Sequence, residues 1–181
     1  TAGSFTTGGG GGGSRDDIGT NGGSGIVVVR YQIGQLTATA KASGGAVSFY
    51  NNKTIHTFTS SGDFNNTSGG DLSVEYVIVA GGGAGGNAGA GGGGAGGYKT
   101  GTGTVSSGPN GVVIGAGGAS LNTGFYTSGA PASSNRSGTD SSFNSITSLK
   151  GGGGGSGSNN GPAAGAAGGS GGGGAYYPTP G

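Results

Sequence analysis

The chain has 181 residues, 54 of them glycine, with 7% charged residues, no cysteine, methionine or tryptophan, and a formal net charge of +1. That balance gives no electrostatic case for nucleic acid or an anionic membrane surface, and the missing cysteines exclude disulfides and thiolate metal sites. No apolar run approaches the roughly 20 residues that span a bilayer, and a chain without methionine lacks its own start residue, so a processed form or a fragment is expected.

Residues 1–25 hold a glycine run at 8–13, a polar bend through Ser14-Arg15-Asp16-Asp17, and turn chemistry at Asn21-Gly22-Gly23-Ser24-Gly25. The next stretch, 25–33, is the strongest strand candidate. Val27, Val29, Tyr31 and Ile33 make one face, and Ile26, Val28, Arg30 and Gln32 the other. Residues 36–40 alternate weakly. Ala46-Val47-Ser48-Phe49-Tyr50 and Thr54-Ile55-His56-Thr57-Phe58-Thr59 flank the short loop Asn51-Asn52-Lys53, which reads as a hairpin. Residues 60–70 read as a turn-rich connection, and 72–80 as the last clear strand.

That strand runs directly into residues 81–97, a tract of almost pure glycine. A helix is excluded there, because each glycine costs roughly 1 kcal/mol relative to alanine. Read in threes, positions 83, 86, 89 and 92 are all glycine, while Ala84, Asn87 and Ala90 share another row. Polyproline II has three residues per turn and no internal hydrogen bonds. Rows of glycine would let such helices approach until their main-chain groups pair. The expectation is a layer of packed polyglycine II helices, the tract being about 50 Å long at roughly 3.1 Å per residue. A flexible linker is the alternative.

Beyond it, Tyr98-Lys99-Thr100 reads as a turn and Val112-Val113-Ile114 as a short extended piece. Residues 120–142 read as polar loop with the aromatic pair Phe125-Tyr126, and 151–174 as a second glycine tract. The expected fold is mainly β with packed polyglycine II helices: a small antiparallel β core, a glycine-rich layer and almost no α-helix. Its expected parts are 1–33 as the end of a preceding module or an assembly strand, 34–80 as the β-rich core, 81–174 as the glycine region with polar loops, and 175–181 as an extended tail.

An internal echo supports the first boundary. Ser4-Phe5 followed by glycines 8–13 is matched by Ser142-Phe143 followed by 151–155, and Gly22-Gly23-Ser24-Gly25 recurs at 168–171. The first GGSG leads into a strand and the second does not. Ile26, Val27, Val28, Val29, Tyr31 and Ile33 are therefore candidates for a strand that completes a neighbouring copy, joining subunits head to tail. Closing the sheet of its own chain is the other reading of the same residues.

Three patterns carry a resemblance: Gly22-Gly23-Ser24-Gly25-Ile26-Val27-Val28-Val29-Arg30-Tyr31, Ile55-His56-Thr57-Phe58-Thr59-Ser60-Ser61-Gly62, and Val74-Glu75-Tyr76-Val77-Ile78-Val79-Ala80-Gly81-Gly82-Gly83. Together they resemble the glycine-rich modules of bacteriophage tail fibres and related virion proteins. The resemblance implies fibre building or attachment in an extracellular or virion setting, and supplies no catalytic residues. Polyglycine II packing is also known in phage adhesins whose loops bind host receptors, and in an antifreeze protein.

The chemical motifs are weak. Gly81-Gly82-Gly83-Ala84-Gly85-Gly86 satisfies G-x-G-x-x-G after a strand, but no acidic residue lies between Glu75 and Asp140 and no helix start follows, so a dinucleotide site is not expected. His56 is the single histidine, a poor basis for a transition-metal site. Asp16-Asp17 beside Arg15 reads as a solvated turn, without EF-hand spacing for calcium. No nucleophile and base are paired, so neither an enzyme nor a cofactor is expected. Asn52, Asn65, Asn66 and Asn135 fit the N-glycosylation pattern. Tyr98, Phe125 and Tyr126 are candidate glycan contacts or caps on the glycine layer. Three functions follow: a self-assembling fibre subunit (phage-like, or a secreted cellular filament), a receptor-binding tip whose partner is a host-surface glycan or protein, and an ice-binding protein.

Overall fold

The computed structural model describes residues 1–15, 18–33, 40–120, 136–157 and 164–175. Among these residues ten strands form two antiparallel five-stranded sheets, with essentially no helix: β1 (Ile26–Gln32), β2 (Ala42–Ser43), β3 (Ala46–Tyr50), β4 (Lys53–Phe58), β5 (Gly62–Asn66), β6 (Leu72–Val79), β7 (Tyr98–Val105), β8 (Gly108–Val113), β9 (Ser141–Phe143) and β10 (Ile146–Ser148). The first sheet has the order β3-β4-β1-β6-β7 and the second β10-β9-β8-β5-β2.

The core lies between the sheets. Alternation in β1 sends Val27, Val29 and Tyr31 inward, where they meet Phe58, Phe64, Leu72, Val74, Ile78, Val105, Val112 and Phe143. Phe64 is fully buried at the centre, edge-on to His56 at 5.0 Å and to Phe143 at 5.8 Å between centroids. Inward alternation on β4 buries His56 as well, because Val29 stands opposite it. Its Nδ1–H donates to the Gly44 carbonyl at 2.6 Å, and the Tyr31 hydroxyl lies 3.5 Å from Nε2. Burial lowers its pKa from the ordinary 6.5, the bond to Gly44 opposing only in part. Gly44, at φ 105°, takes a backbone conformation that a side-chain-bearing residue avoids, and so turns that carbonyl toward the ring.

The structure corrects four readings. Residues 60–70 contain β5 rather than only turns, and Tyr98-Lys99-Thr100 opens a strand of eight residues instead of turning the chain. The last two residues of the polar stretch 120–142 lie in β9, which pairs with β8 through Val112↔Phe143. The glycine tract is not one 50 Å rod. Ala88 and Gly89 take φ of 57° and 63°, and the tract folds back on itself: Ala80 N–H donates to Gly97, Gly83 to Gly94 and Gly86 to Gly91. Each arm is therefore about 20 Å long at roughly 3 Å per residue.

Strand and glycine segments alternate along the chain. Residues 18–25 lead into β1, 80–87 leave β6, 90–97 lead into β7, 115–120 leave β8, 136–140 lead into β9 and 149–157 leave β10. The sandwich thus continues at one end into a bundle of extended glycine segments, each aligned by the strand to which it is joined.

Candidate functional site

The bundle is built around residues 80–86, all buried. Their N–H groups donate in rotation to three other segments: 80, 83 and 86 to Gly97, Gly94 and Gly91; 81 and 84 to Thr139 and Arg136; 82 and 85 to Gly23 and Thr20. Their carbonyls accept from three more. Gly81 and Ala84 take Gly151 and Gly154, Gly82 takes Gly118, and Gly83 and Gly86 take Gly11 and Ser14. One segment is thereby bonded to six, with partners recurring every third residue. These bonds lie between about 2.7 and 3.3 Å, the range of well-formed N–H···O contacts.

Such closeness requires the absence of side chains. A Cβ at Gly82 would collide with the Gly9 carbonyl, and one at Gly83 with that of Gly152. Segments elsewhere in the bundle follow the same scheme: Gly91, Gly94 and Gly97 donate to Gly155, Gly152 and Leu149, while Ala90, Gly93 and Gly96 donate to Ser14, Gly11 and Gly8. Every main-chain donor from 80 to 86 is committed, so the G-x-G-x-x-G stretch has no N–H left to cradle a phosphate.

Polar side chains fasten the end of the bundle away from the sandwich. Asn87 accepts from the Gly19 N–H through Oδ1 at 3.0 Å, and its own N–H donates to Ser156 Oγ at 2.9 Å. Gly89 donates to Arg15 and Gly157 to Asn87, so turns from three parts of the chain meet there. Arg136, fully buried, lies against the second glycine tract and donates from Nε to Gly154 at 3.1 Å. Burial lowers the pKa of its guanidinium from the ordinary value. The sequence pattern placed Asn87 on a row with Ala84 and Ala90 and gave neither residue a fastening role, although Asn87 is the sole residue other than Gly or Ala in 81–97. Among the described residues, no three His, Cys, Asp or Glu side chains gather as a metal site would require.

The sequence candidates are dispersed. Ile26, Val27, Val28, Val29 and Tyr31 lie in β1, whose two edges are taken by β4 and β6 of the same chain. Ile33 follows the strand and donates to the Asn52 carbonyl. A neighbour could receive β1 only by exchange, not by pairing at a free edge. Tyr98 opens β7 and is 67% exposed. Asn52 is exposed in the β3–β4 turn at φ 57°. Asn65 is half-buried, and Asn66 is buried with Nδ2 donating to Gly70 and Val105; that leaves no hydrogen there for a glycan bond. Phe125, Tyr126 and Asn135 lie outside the described residues, as do Asp16 and Asp17.

The strand edges supply a feature that periodicity alone did not reveal. The two-residue turn Asn51-Asn52 makes Tyr50↔Lys53 the closing bonded pair, so Val47 and Phe49 turn their N–H and C=O away from β4. Among the described residues nothing pairs with that side of β3. Every residue of β3 is exposed, Phe49 and Tyr50 to 67% and 75%. Natural edges are usually guarded by charge, proline or a bulge, and Ala46-Val47-Ser48-Phe49-Tyr50 has none.

No curated protein and no solved structure matches this chain. The sequence model of the glycine-rich domain family matches residues 57–181, from β4 to the C-terminus, so with more than half its length matched the chain belongs to that family.

Proposed function

We propose that the protein is a non-enzymatic structural subunit of an extracellular or virion fibre, of the kind built by phage tail-fibre modules, in which the glycine segments are packed polyglycine II helices acting as a rigid brace. The observation that carries this reading is the six-sided bonding of residues 80–86. A main chain so committed resists bending and displays no reactive group, which suits a spacer and suits catalysis poorly. Its partners are other copies of itself. Self-association by strand addition uses β3, the unguarded outer strand, because β1 already has neighbours on both sides. The five strands of the first sheet alternate in direction, so its outer strands β3 and β7 run the same way. Pairing β3 with β7 of the next copy continues the sheet without closing, which propagates a filament.

Electron microscopy and sedimentation of the purified chain test this. Filaments or concentration-dependent oligomers that vanish in Val47→Lys/Phe49→Lys are expected. A chain that stays monomeric at hundreds of micromolar overturns the self-assembly reading.

A second reading, attachment to a host-surface glycan or protein, is favoured by the meeting of turns around Arg15, Asn87 and Gly157 at one end of the bundle. It predicts binding to host cells by single copies. No observation distinguishes ice binding, for which thermal hysteresis is the direct assay.

A further inference from the structure

We infer that the outer face of the first sheet carries a binding cleft for an acidic oligosaccharide. A depression of about 450 Å³ lies there, lined among others by Val28, Arg30, Glu75, Val77, Tyr98 and Thr102, within the size range of small-ligand sites. The strand register orders these residues into rows. Arg30, Glu75 and Thr102 stand side by side across β1, β6 and β7; Val28, Val77 and Thr100 form the next outward row, and Ile26, Val79 and Tyr98 the one after. The cleft therefore has a charged end, a half-buried aliphatic floor edged by threonine hydroxyls, and an exposed aromatic ring at the other end. Four steps along β7 take the chain from Tyr98 to Thr102, about 13 Å at 3.3 Å per residue, room for two linked sugar rings.

The charged end selects the ligand. Arg30 donates from Nε and Nη2 to Glu75 Oε2 at 2.9 and 2.5 Å, and Lys53 bonds the other oxygen of that carboxylate. Two cations share one anion, and among the described residues no other carboxylate lines the cleft, so the cluster keeps one surplus positive charge. The pairing with Lys53 and Arg30 holds the Glu75 carboxyl below its ordinary 4.5, so the arrangement stays charged into mildly acidic solution. Arg30 Nη1 and the Lys53 ammonium retain donors for an incoming carboxylate. The rest of the cleft has what a sugar uses: an aromatic face for its C–H side, the Thr102 hydroxyl and the accepting oxygen of Thr100, whose own hydrogen goes to the Tyr76 carbonyl, for its hydroxyls, and an apolar floor. A bare phosphate would gain nothing from Tyr98 or from the aliphatic rows.

This inference depends on the attachment reading only for the source of the ligand. It concerns the strand face, away from the turns around Asn87, and it does not require filaments. The test is titration of the intact chain, below any assembly concentration, with 3′-sialyllactose, with lactose as the neutral control, and with inorganic phosphate. The expected result is that sialyllactose binds at least tenfold more tightly than lactose and that phosphate does not compete. Affinity should fall severalfold between 50 and 300 mM salt. Tyr98→Ala should weaken binding at least tenfold with an unchanged melting curve, since the ring is exposed. Arg30→Gln should abolish the preference for the acidic sugar while retaining weak binding of both. Equal binding of lactose, displacement by phosphate, or full affinity in Tyr98→Ala would each overturn the inference. Failure here together with filament formation would leave the fibre reading standing. Binding by a chain that never assembles would do the reverse.

Discussion

The sandwich and the glycine bundle are held together in opposite ways. Between the sheets, side chains meet: Phe64 touches His56, Tyr31 and Phe143, and the main chain is paired only within each sheet. In the bundle, side chains are absent at the contacts and the main chains bond in six directions. The first region gains from removing apolar area from water. The second must offset the large backbone entropy of glycine with hydrogen bonds that each contribute only about 0.5–1.5 kcal/mol net. What the difference teaches is dependence. The bundle segments are anchored by strands at one end, which reduces the entropy lost in aligning them, so the bundle should need the sandwich more than the sandwich needs the bundle.

The largest break in that relation comes from the core. Phe64→Ala removes a fully buried ring and should cost about 3–5 kcal/mol. Because the strands align the glycine segments, chemical denaturation followed by tyrosine fluorescence and by amide exchange of Gly82 and Gly83 should show both regions lost together. If the glycine amides stay protected after the sandwich has melted, the dependence runs the other way.

The reverse experiment is smaller. Gly83→Ala drives a methyl group into the Gly152 carbonyl, and the neighbouring segments must part. The cost should be about 1–3 kcal/mol, as for other overpacked sites. Exchange should accelerate at Gly11 and Gly154, whose N–H groups donate to residues 83 and 84, and at Gly94, whose N–H donates to the displaced Gly152 carbonyl, while the amides of β1 and β4 remain protected. Uniform acceleration through both regions would show one cooperative unit in place of two.

Acid sharpens the contrast, since the sandwich buries a histidine and the glycine contacts titrate nothing. The folded-state pKa of His56 lies below its ordinary 6.5, so near and below pH 6.5 the unfolded chain binds more protons than the folded one. The stabilisation from keeping the ring neutral is present above that pH and diminishes as pH falls toward the folded-state value. Thermal melts from pH 8 to 5 should show a falling midpoint that flattens in His56→Gln. Glu75 acts separately and lower: its carboxyl is held below 4.5 by Lys53 and Arg30, so its contribution is lost only as pH falls from 4.5 through that depressed value. A midpoint independent of pH between 7 and 5 would contradict the burial of a neutral His56.

How much of this could be read from the chain divides along the same line. The alternating face of β1, the β3–β4 hairpin and the absence of helix follow from local pattern, because side chains declare which way a strand faces. β7 was hidden: Gly101 and Gly103 occupy every second place, and the Tyr76 ring lies against Gly101 where a side chain would stand. β5, β9 and β10 are short and polar, and β8, the partner of both β5 and β9, is far off from each of them in the chain. The three-residue rhythm of glycine was legible, but the fold-back at Ala88-Gly89 was not, since its one local mark is Asn87, whose partners Gly19 and Ser156 lie far off in the chain. Nor could the sequence pair Gly19 with Asn87 or Ala84 with Arg136, contacts that only the assembled bundle defines.

The finest comparison sets two adjacent glycines against each other. Gly93 faces inward, where a Cβ would strike the Gly83 carbonyl. Gly92 faces outward, and the nearest atom to its Cβ would be the Gly11 oxygen at 3.6 Å, ordinary contact distance. Neither has a positive φ, so alanine suits the backbone at both. Gly93→Ala should therefore destabilise, by a clash with a neighbouring carbonyl as close as the one that penalises Gly83→Ala. Gly92→Ala should be neutral or stabilise by up to about 1 kcal/mol, because alanine restricts the unfolded chain more than glycine does. Paired denaturation curves of the two variants decide the matter. Opposite signs one residue apart are what a threefold rod with one open side requires, whereas equal effects would describe a loose coil in which neither position has an inside.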